Sequence, residues 1–174
     1  GLIKNFVSEH QTATNLSYGI ITFQKTAAMS LTGDTFTRDQ AALVKAYDAF
    51  AKQKDTGATP YRAAIALASD VITADKAASS EPARYFMVLI SDGMPTDYGD
   101  PISEAEIDTD VKNLRSLSPE ATLSAIYYNQ LNVYEDAKIL SHVAMQGGGG
   151  FSNTNVQGKQ VPLEEIMALT NRSP

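Results

Sequence analysis

Short runs that are apolar at nearly every position alternate along the chain with stretches that are apolar at helical spacing. The opening stretch Leu2–Val7 is apolar at helical spacing, so the chain is expected to begin inside an amphipathic helix. The strongest signal is Tyr85–Ile90, an unbroken apolar run that stops at Ser91, Asp92 and Gly93. An unbroken run is typical of a central parallel strand, because helices cover both of its faces.

The rest of the chain continues this alternation. Further strands are predicted at Leu16–Phe23, Ala27–Leu31 and Ala121–Tyr128, with a short last strand from Phe151. Helices are predicted over Thr37–Lys54, from Pro60, after the capping pair Ser103 and Glu106, over Glu135–Gln146, and from Pro162. Gly147–Gly150 is expected to be a flexible turn. Alternating strands and helices predict an α/β fold: a doubly wound, mostly parallel sheet with helices on both faces, in one domain over residues 1–174.

Composition narrows the classes of function. Apolar residues make up 43% of the chain and charged residues 20%, which is typical of a folded domain. The net charge of −6 argues against nucleic-acid binding, which needs a basic surface. Because there is no cysteine, a disulfide scaffold, a zinc–thiolate site and a thiol nucleophile are all excluded. No apolar run approaches the ~18 residues that a membrane span needs.

The candidate chemistry lies where strands end, because parallel sheets bind ligands beyond the carboxyl ends of their strands. Asp92 follows the buried strand between Ser91 and Gly93, and Thr59 stands at the start of a predicted helix. Both side chains offer the hard oxygen ligands that Mg²⁺, Mn²⁺ or Ca²⁺ prefer. Asp97 is a further carboxylate in the same loop as Asp92. We therefore take Thr59 and Asp92 as candidate metal ligands, with Asp97, Gly93 and Ser91 at the rim of the site.

Each of these residues also has a simpler interpretation. Asp-Gly after a strand is a common turn, so Asp92 alone is weak evidence for a ligand. Thr59 directly precedes Pro60 and would suit the N-cap of the next helix. Asp97 either orients a metal-bound water or is a solvated loop carboxylate.

The segments around these residues resemble one known family. Tyr85–Asp97, with the sequence YFMVLISDGMPTD, resembles the fourth-strand motif of von Willebrand factor A domains. Thr56–Pro60 followed by Ala63–Ala68 resembles the threonine loop and the next helix of that family. His142–Phe151 resembles the turn into its last strand, and Val161–Leu169 its closing helix. The order and spacing of these motifs are more specific than any one of them.

This resemblance implies a Rossmann-like fold and a protein-binding or adhesion module that is not an enzyme. In the family, a D-x-S-x-S motif after the first strand supplies one carboxylate and two hydroxyls to a metal-ion-dependent adhesion site (MIDAS). Thr59 and Asp92 would complete the ligands of Mg²⁺, Mn²⁺ or Ca²⁺, and a carboxylate of a partner protein would fill the last position. The resemblance and composition together favour an exported bacterial surface protein, with a cytoplasmic protein as the alternative.

The chain departs from the family at its start. No D-x-S-x-S occurs in it, and Gly1–Ser8 resembles the end of the helix that should follow that motif. The first strand is central in this fold, so its absence would leave two rows of unpaired backbone groups. We expect upstream residues or a second chain to supply the strand.

Two other functions stay open. A doubly wound hydrolase or phosphotransferase would use Asp92 as a nucleophile or metal ligand. It is disfavoured because Ile90 stands where a D-x-D motif needs an aspartate, and no G-x-S-x-G is present. A metal-free structural version of the same fold is the third possibility.

Overall fold

A computed structural model describes residues 2–10, 12–25, 27–53, 57–118, 120–128 and 134–154. Within these ranges no helix is long and apolar enough to cross a membrane. The helices are α1 (Leu2–Glu9), α2 (Gln40–Phe50), α3 (Tyr61–Ala78), α4 (Glu104–Ser116) and α5 (Tyr134–Gln146). The strands are β1 (Ile21–Gln24), β2 (Ala27–Ser30), β3 (Phe86–Ser91), β4 (Thr122–Tyr127) and β5 (Gly148–Asn153). The closing helix predicted from Pro162 lies outside the described residues.

The main sheet has three parallel strands in the order β3-β4-β5. Ser91, the last residue of β3, pairs with Tyr127, the last residue of β4, so both strands end at the same edge. β4 is central and almost completely buried, which explains why its sequence is apolar with little alternation. The α/β class and the parallel sheet predicted from the sequence are therefore confirmed.

Helices cover both faces of this sheet. On one face, α4 and α5 bury Val111, Leu114, Leu140 and Val143 in the main hydrophobic core, together with Leu123 of β4. On the other face, Phe6 of α1 packs with Val88 and Ile90 against the buried Ile126. The helix α2 lies beside α1, where Lys4 and Asp48 form an ion pair at 2.5 Å.

The strands β1 and β2 form a separate antiparallel hairpin. It packs against α3: Phe23 of β1 lies 5.9 Å from Tyr61, the first residue of α3, measured between ring centroids. Phe36, which follows β2 in the chain, lies 5.8 Å from Tyr85. Tyr85 directly precedes β3. Among the described residues, β3 is hydrogen-bonded to β4 alone, so its other edge is paired with no strand that the structure describes.

Three predicted boundaries were wrong. The strand β1 begins at Ile21 instead of Leu16; before it, Tyr18 makes one isolated bridge to Thr37. The helix α2 spans Gln40–Phe50 instead of Thr37–Lys54. It begins at Gln40 because the Asp39 side chain accepts a hydrogen bond from the Ala42 N–H at 2.9 Å and caps the helix.

The third error concerns the glycine run. The strand β5 begins at Gly148, so three of the four glycines predicted as a flexible turn belong to a strand. A Cβ on Gly149 would lie 2.6 Å from the carbonyl carbon of Leu123. Glycine is needed at position 149 because the backbones of β4 and β5 approach closely there. The prediction was wrong because it interpreted a run of four glycines as a sign of flexibility.

Candidate functional site

The loop after β3 exposes Asp92 to solvent, while hydrogen bonds fix its two neighbours, Ser91 and Gly93. Ser91 is buried, and its hydroxyl accepts a hydrogen bond from the Gly93 N–H at 3.4 Å. The hydroxyl of Tyr61, the first residue of α3, donates to the Gly93 carbonyl at 2.7 Å. Asp92 is exposed between these two fixed residues. The start of α3 therefore holds the loop that presents the Asp92 carboxylate.

Thr59 lies against the same loop. Its hydroxyl donates to the Met94 carbonyl at 2.5 Å, and its backbone carbonyl accepts from the Thr96 N–H at 3.0 Å. A Cβ on Gly93 would lie 3.6 Å from the Thr59 hydroxyl oxygen. Thr59 thus contacts the residue that follows Asp92, and the structure brings the two predicted ligands to one rim of the sheet.

These contacts leave the Thr59 hydroxyl able to bind a cation. A hydroxyl has one proton to donate and two lone pairs. The proton is directed to the Met94 carbonyl, so the lone pairs of the oxygen are available to a hard cation. The interpretation of Thr59 as a helix cap was wrong, because the N-cap of α3 is Pro60, whose own side chain makes no capping hydrogen bond.

Asp97 caps α3 in place of Thr59. Its Oδ2 accepts a hydrogen bond from the Ala63 N–H at 3.1 Å, near the start of the helix. Its Oδ1 is buried and has no hydrogen-bond partner among the residues that the structure describes. Asp97 is therefore not a solvated loop carboxylate. Its proposed contact with a metal-bound water stays a prediction.

Two buried side chains, Tyr61 and Asp136, interact electrostatically with Asp92 at this rim. Burial raises the pKa of Tyr61 well above its ordinary value, a hydrogen bond with Ser91 lowers it, and the charges of Asp136 and Asp92 raise it further. Burial also raises the pKa of Asp136; a hydrogen bond from the Tyr127 hydroxyl opposes this shift, and the charge of Asp92 adds to it. Sequence reasoning missed Asp136, because an acid in the first turn of a helix needs no further explanation.

The donors suit a hard cation in kind but are too few. Thr59 and Asp92 offer a hydroxyl and a carboxylate, whereas Mg²⁺ takes about six oxygen ligands. Over the described ranges there is no group of three or more His, Cys, Asp or Glu side chains that would hold a metal ion. Further oxygens would have to come from water, from a partner or from a segment such as D-x-S-x-S.

Comparison with known proteins identifies the family. The family model described as von Willebrand factor type A domain matches residues 1–142, which include Thr59, Asp92 and Asp97. No curated protein matches the chain. Domains of this family are in general protein-interaction modules and typically not enzymes. The family match agrees with the parallel sheet and its two helical layers, and the chain belongs to the von Willebrand factor type A domain family.

Proposed function

We propose that this protein is a metal-dependent protein-binding module, in which Thr59 and Asp92 hold a divalent cation that recruits a carboxylate of a partner protein. The observation that carries the proposal is the position of Thr59 against Gly93, directly beside the exposed Asp92. The Thr59 hydroxyl has its proton directed to Met94, so its oxygen can accept a cation. Mg²⁺ is the expected ion, with Mn²⁺ and Ca²⁺ as alternatives.

The partner's chemistry follows from the charge of the protein. With a net charge of −6 and an exposed aspartate at its rim, the domain repels a partner's carboxylate when no cation is present. A bound divalent cation with an open position would reverse this repulsion and bind the carboxylate directly. Binding of the partner is therefore expected to require the metal, and a chelator should release the partner.

A further strand would complete the site. The hairpin β1–β2 packs against α3 through the Phe23–Tyr61 ring contact, and Phe36, which follows the hairpin, contacts Tyr85 just before β3. Within the described part of the chain, no strand pairing joins the two sheets. Unpaired strand edges inside a domain are unfavourable. We propose that upstream residues or a second chain supply the intervening strand, and that its carboxyl end brings the D-x-S-x-S oxygens to Thr59 and Asp92.

Cation binding is the direct test. Isothermal titration with MnCl₂ and MgCl₂ of the domain that includes the intervening strand should show a single site. Thr59→Ala and Asp92→Ala should each weaken its affinity at least about tenfold, as expected for the loss of a group at a metal site. Thr73→Ala and Asp70→Ala are matched controls, since both side chains are exposed on α3, and they should bind like the wild type.

The outcome separates this proposal from the alternatives. If the protein binds no divalent ion even with the intervening strand and its D-x-S-x-S segment present, it is a metal-free structural member of the family and the adhesion-site mechanism is wrong. Turnover of a generic phosphoester, abolished by Asp92→Asn, would instead favour a hydrolase. Location at the surface of a bacterial cell remains a prediction, which fractionation with an antibody against the domain would test.

A further inference from the structure

Asp136 is a buried carboxylate that the family resemblance does not explain. It lies in the first turn of α5, next to the exposed Glu135, and its relative exposure is only 8%. The Tyr127 hydroxyl, at the carboxyl end of β4, donates a hydrogen bond to it. Asp136 therefore reaches from α5 to the edge of the sheet at which β3 presents Asp92.

Strand pairing places Tyr127, the hydrogen-bond partner of Asp136, beside the residue that precedes Asp92. Tyr127 pairs with Ser91 across the two strands, and the Tyr128 N–H donates to the Ser91 carbonyl at 2.9 Å. Asp92 is the residue directly after Ser91. The charge of Asp92 adds to the rise in the pKa of Asp136 that burial causes. Both carboxylates also act on the buried hydroxyl of Tyr61, which lies between the start of α3 and the β3 loop.

This arrangement is unfavourable unless a cation is nearby. Burying a carboxylate costs free energy, and a like charge nearby adds to the cost. No Lys, Arg or His in the described ranges forms an ion pair with Asp136. The exposed Glu135 already places a negative charge in the first turn of α5, where it interacts favourably with the helix dipole. Stability of the helix alone therefore does not account for a second, buried acid.

We propose that Asp136 strengthens cation binding at the Thr59–Asp92 rim through its negative charge, without coordinating the ion. This inference rests on the proposed function. Asp136 is thus a positioning residue that acts through Asp92: its charge attracts the cation, and the cation removes the repulsion between the two carboxylates. The Tyr127 hydrogen bond holds the charge in place beneath the rim.

The test is a titration with MnCl₂ of the domain that includes the intervening strand, comparing the wild type with Asp136→Asn. Asparagine has the same shape and still accepts the Tyr127 hydrogen bond, so the main change is the charge. We expect the affinity for Mn²⁺ to fall roughly three- to tenfold, as a nearby charge in a partly screened environment predicts. The control Glu135→Gln removes a charge from the neighbouring exposed position and should change the affinity less than about twofold.

Stability of the metal-free protein provides the second readout. Removing one of two repelling carboxylates should leave the thermal midpoint of metal-free Asp136→Asn equal to or above that of the wild type. A purely structural role would lower this midpoint and would overturn the inference. The pair Asp136→Glu and Asp136→Gln repeats the comparison with a longer side chain, and only the uncharged member should bind Mn²⁺ more weakly.

The failure of this inference is distinguishable from failure of the proposed function. If the wild type does not bind Mn²⁺, or if Asp92→Ala binds it equally well, the proposed site itself is wrong. If the wild type binds Mn²⁺ and Asp92→Ala does not, but Asp136→Asn matches Glu135→Gln, only the role of Asp136 is refuted. Equal loss of binding in Asp136→Glu and Asp136→Gln would also refute it, because charge would not be the cause.

Discussion

The two ends of the β3–β4–β5 sheet are built differently. At the amino end, the Arg115 side chain donates hydrogen bonds to the carbonyls of Ala121 and Gln146, and the backbone of Gly149 lies directly against that of Leu123. At the carboxyl end, Asp92 is exposed above a buried polar group that includes Asp136. The amino end pairs its polar groups and packs closely, whereas at the carboxyl end the charge of Asp92 opposes ionisation of the buried Asp136.

We infer from this difference that the amino end of the sheet mainly stabilises the fold and that the carboxyl end serves binding. Groups at the amino end have partners whose loss leaves backbone carbonyls unsatisfied, so substitutions there should destabilise the fold. Charges at the carboxyl end oppose each other in the absence of a cation, so removing one should cost little stability. Proteins commonly accept unfavourable local arrangements where they bind a ligand. Substitutions at the two ends should therefore give effects that differ in kind.

Gly149→Ala should have the largest effect on stability. A Cβ at this position would lie 2.6 Å from both the Leu123 carbonyl carbon and the Ser124 nitrogen, which are backbone atoms that cannot rotate away. We expect the free energy of unfolding, measured by urea denaturation, to fall by about 3 kcal/mol or more. The control Gly57→Ala meets no atom within 4 Å and is strained only by its φ of 79°, so about 1 kcal/mol is expected. Similar losses in the two variants would contradict close packing at the amino end.

Tyr85 should make stability fall at alkaline pH. Its hydroxyl donates to Asp75 Oδ2 at 2.7 Å, and burial, with that hydrogen bond and the Asp75 charge, raises its pKa to about 12. Below pH ~10 the phenol is protonated in both folded and unfolded chains, so its contribution is fully present. Between pH ~10 and pH ~12 only the unfolded chain ionises, and up to about 2 kcal/mol of stability should be lost.

Urea denaturation at several pH values from 9 to 12 measures this loss. The variant Tyr85→Phe has no proton to lose at this position, so its stability should decline less steeply than that of the wild type. Tyr134→Phe, at a 75% exposed position, should follow the wild-type curve. Parallel curves for the wild type and Tyr85→Phe would show that the amino end of β3 is not closed to water.

Arg115→Met tests the hydrogen bonds between α4 and the sheet. Methionine keeps much of the apolar part of the side chain but donates nothing to the carbonyls of Ala121 and Gln146. The expected loss is about 1–2 kcal/mol of unfolding free energy by urea denaturation. Arg84→Met is the matched control. Its ion pair with Glu120 is largely exposed, so the cost should stay below about 0.5 kcal/mol. An equal effect of both variants would mean that the Arg115 contacts add no stability.

Sequence reasoning predicted the order of elements because each element has its own hydrophobic period. Tyr85–Ile90 is apolar throughout since helices cover both faces of β3. The meeting of Thr59 with the Asp92 loop was also predictable, because parallel strands direct their carboxyl ends to one edge. Ring contacts such as Phe23 with Tyr61 join segments distant in sequence, and no local pattern indicates them.

The errors arise where tertiary packing decides the outcome. Gly149 is in a strand because Leu123 approaches it, and the sequence around the glycines contains nothing about that neighbour. Asp136 and Glu135 are adjacent acids in the first turn of α5, so sequence rules for helix ends treat both as residues that interact favourably with the helix dipole. Only burial distinguishes them, and burial follows from how α5 lies on β4. The charge beneath the proposed site therefore could not be predicted from spacing.

Asp92→Asn should have the smallest effect on stability and a large one on binding. The side chain is exposed, so replacing it should change the unfolding free energy by less than about 0.5 kcal/mol. A small gain is expected in metal-free protein, because the Asp92 charge opposes ionisation of the buried Asp136. Affinity for Mn²⁺ should fall at least about tenfold by titration. If Asp92→Asn instead destabilised the protein as much as Arg115→Met and left the Mn²⁺ affinity unchanged, the two ends of the sheet would not differ in their roles. Asp92 would then be a structural residue of the β3 turn, and the carboxyl edge would have no special role in binding.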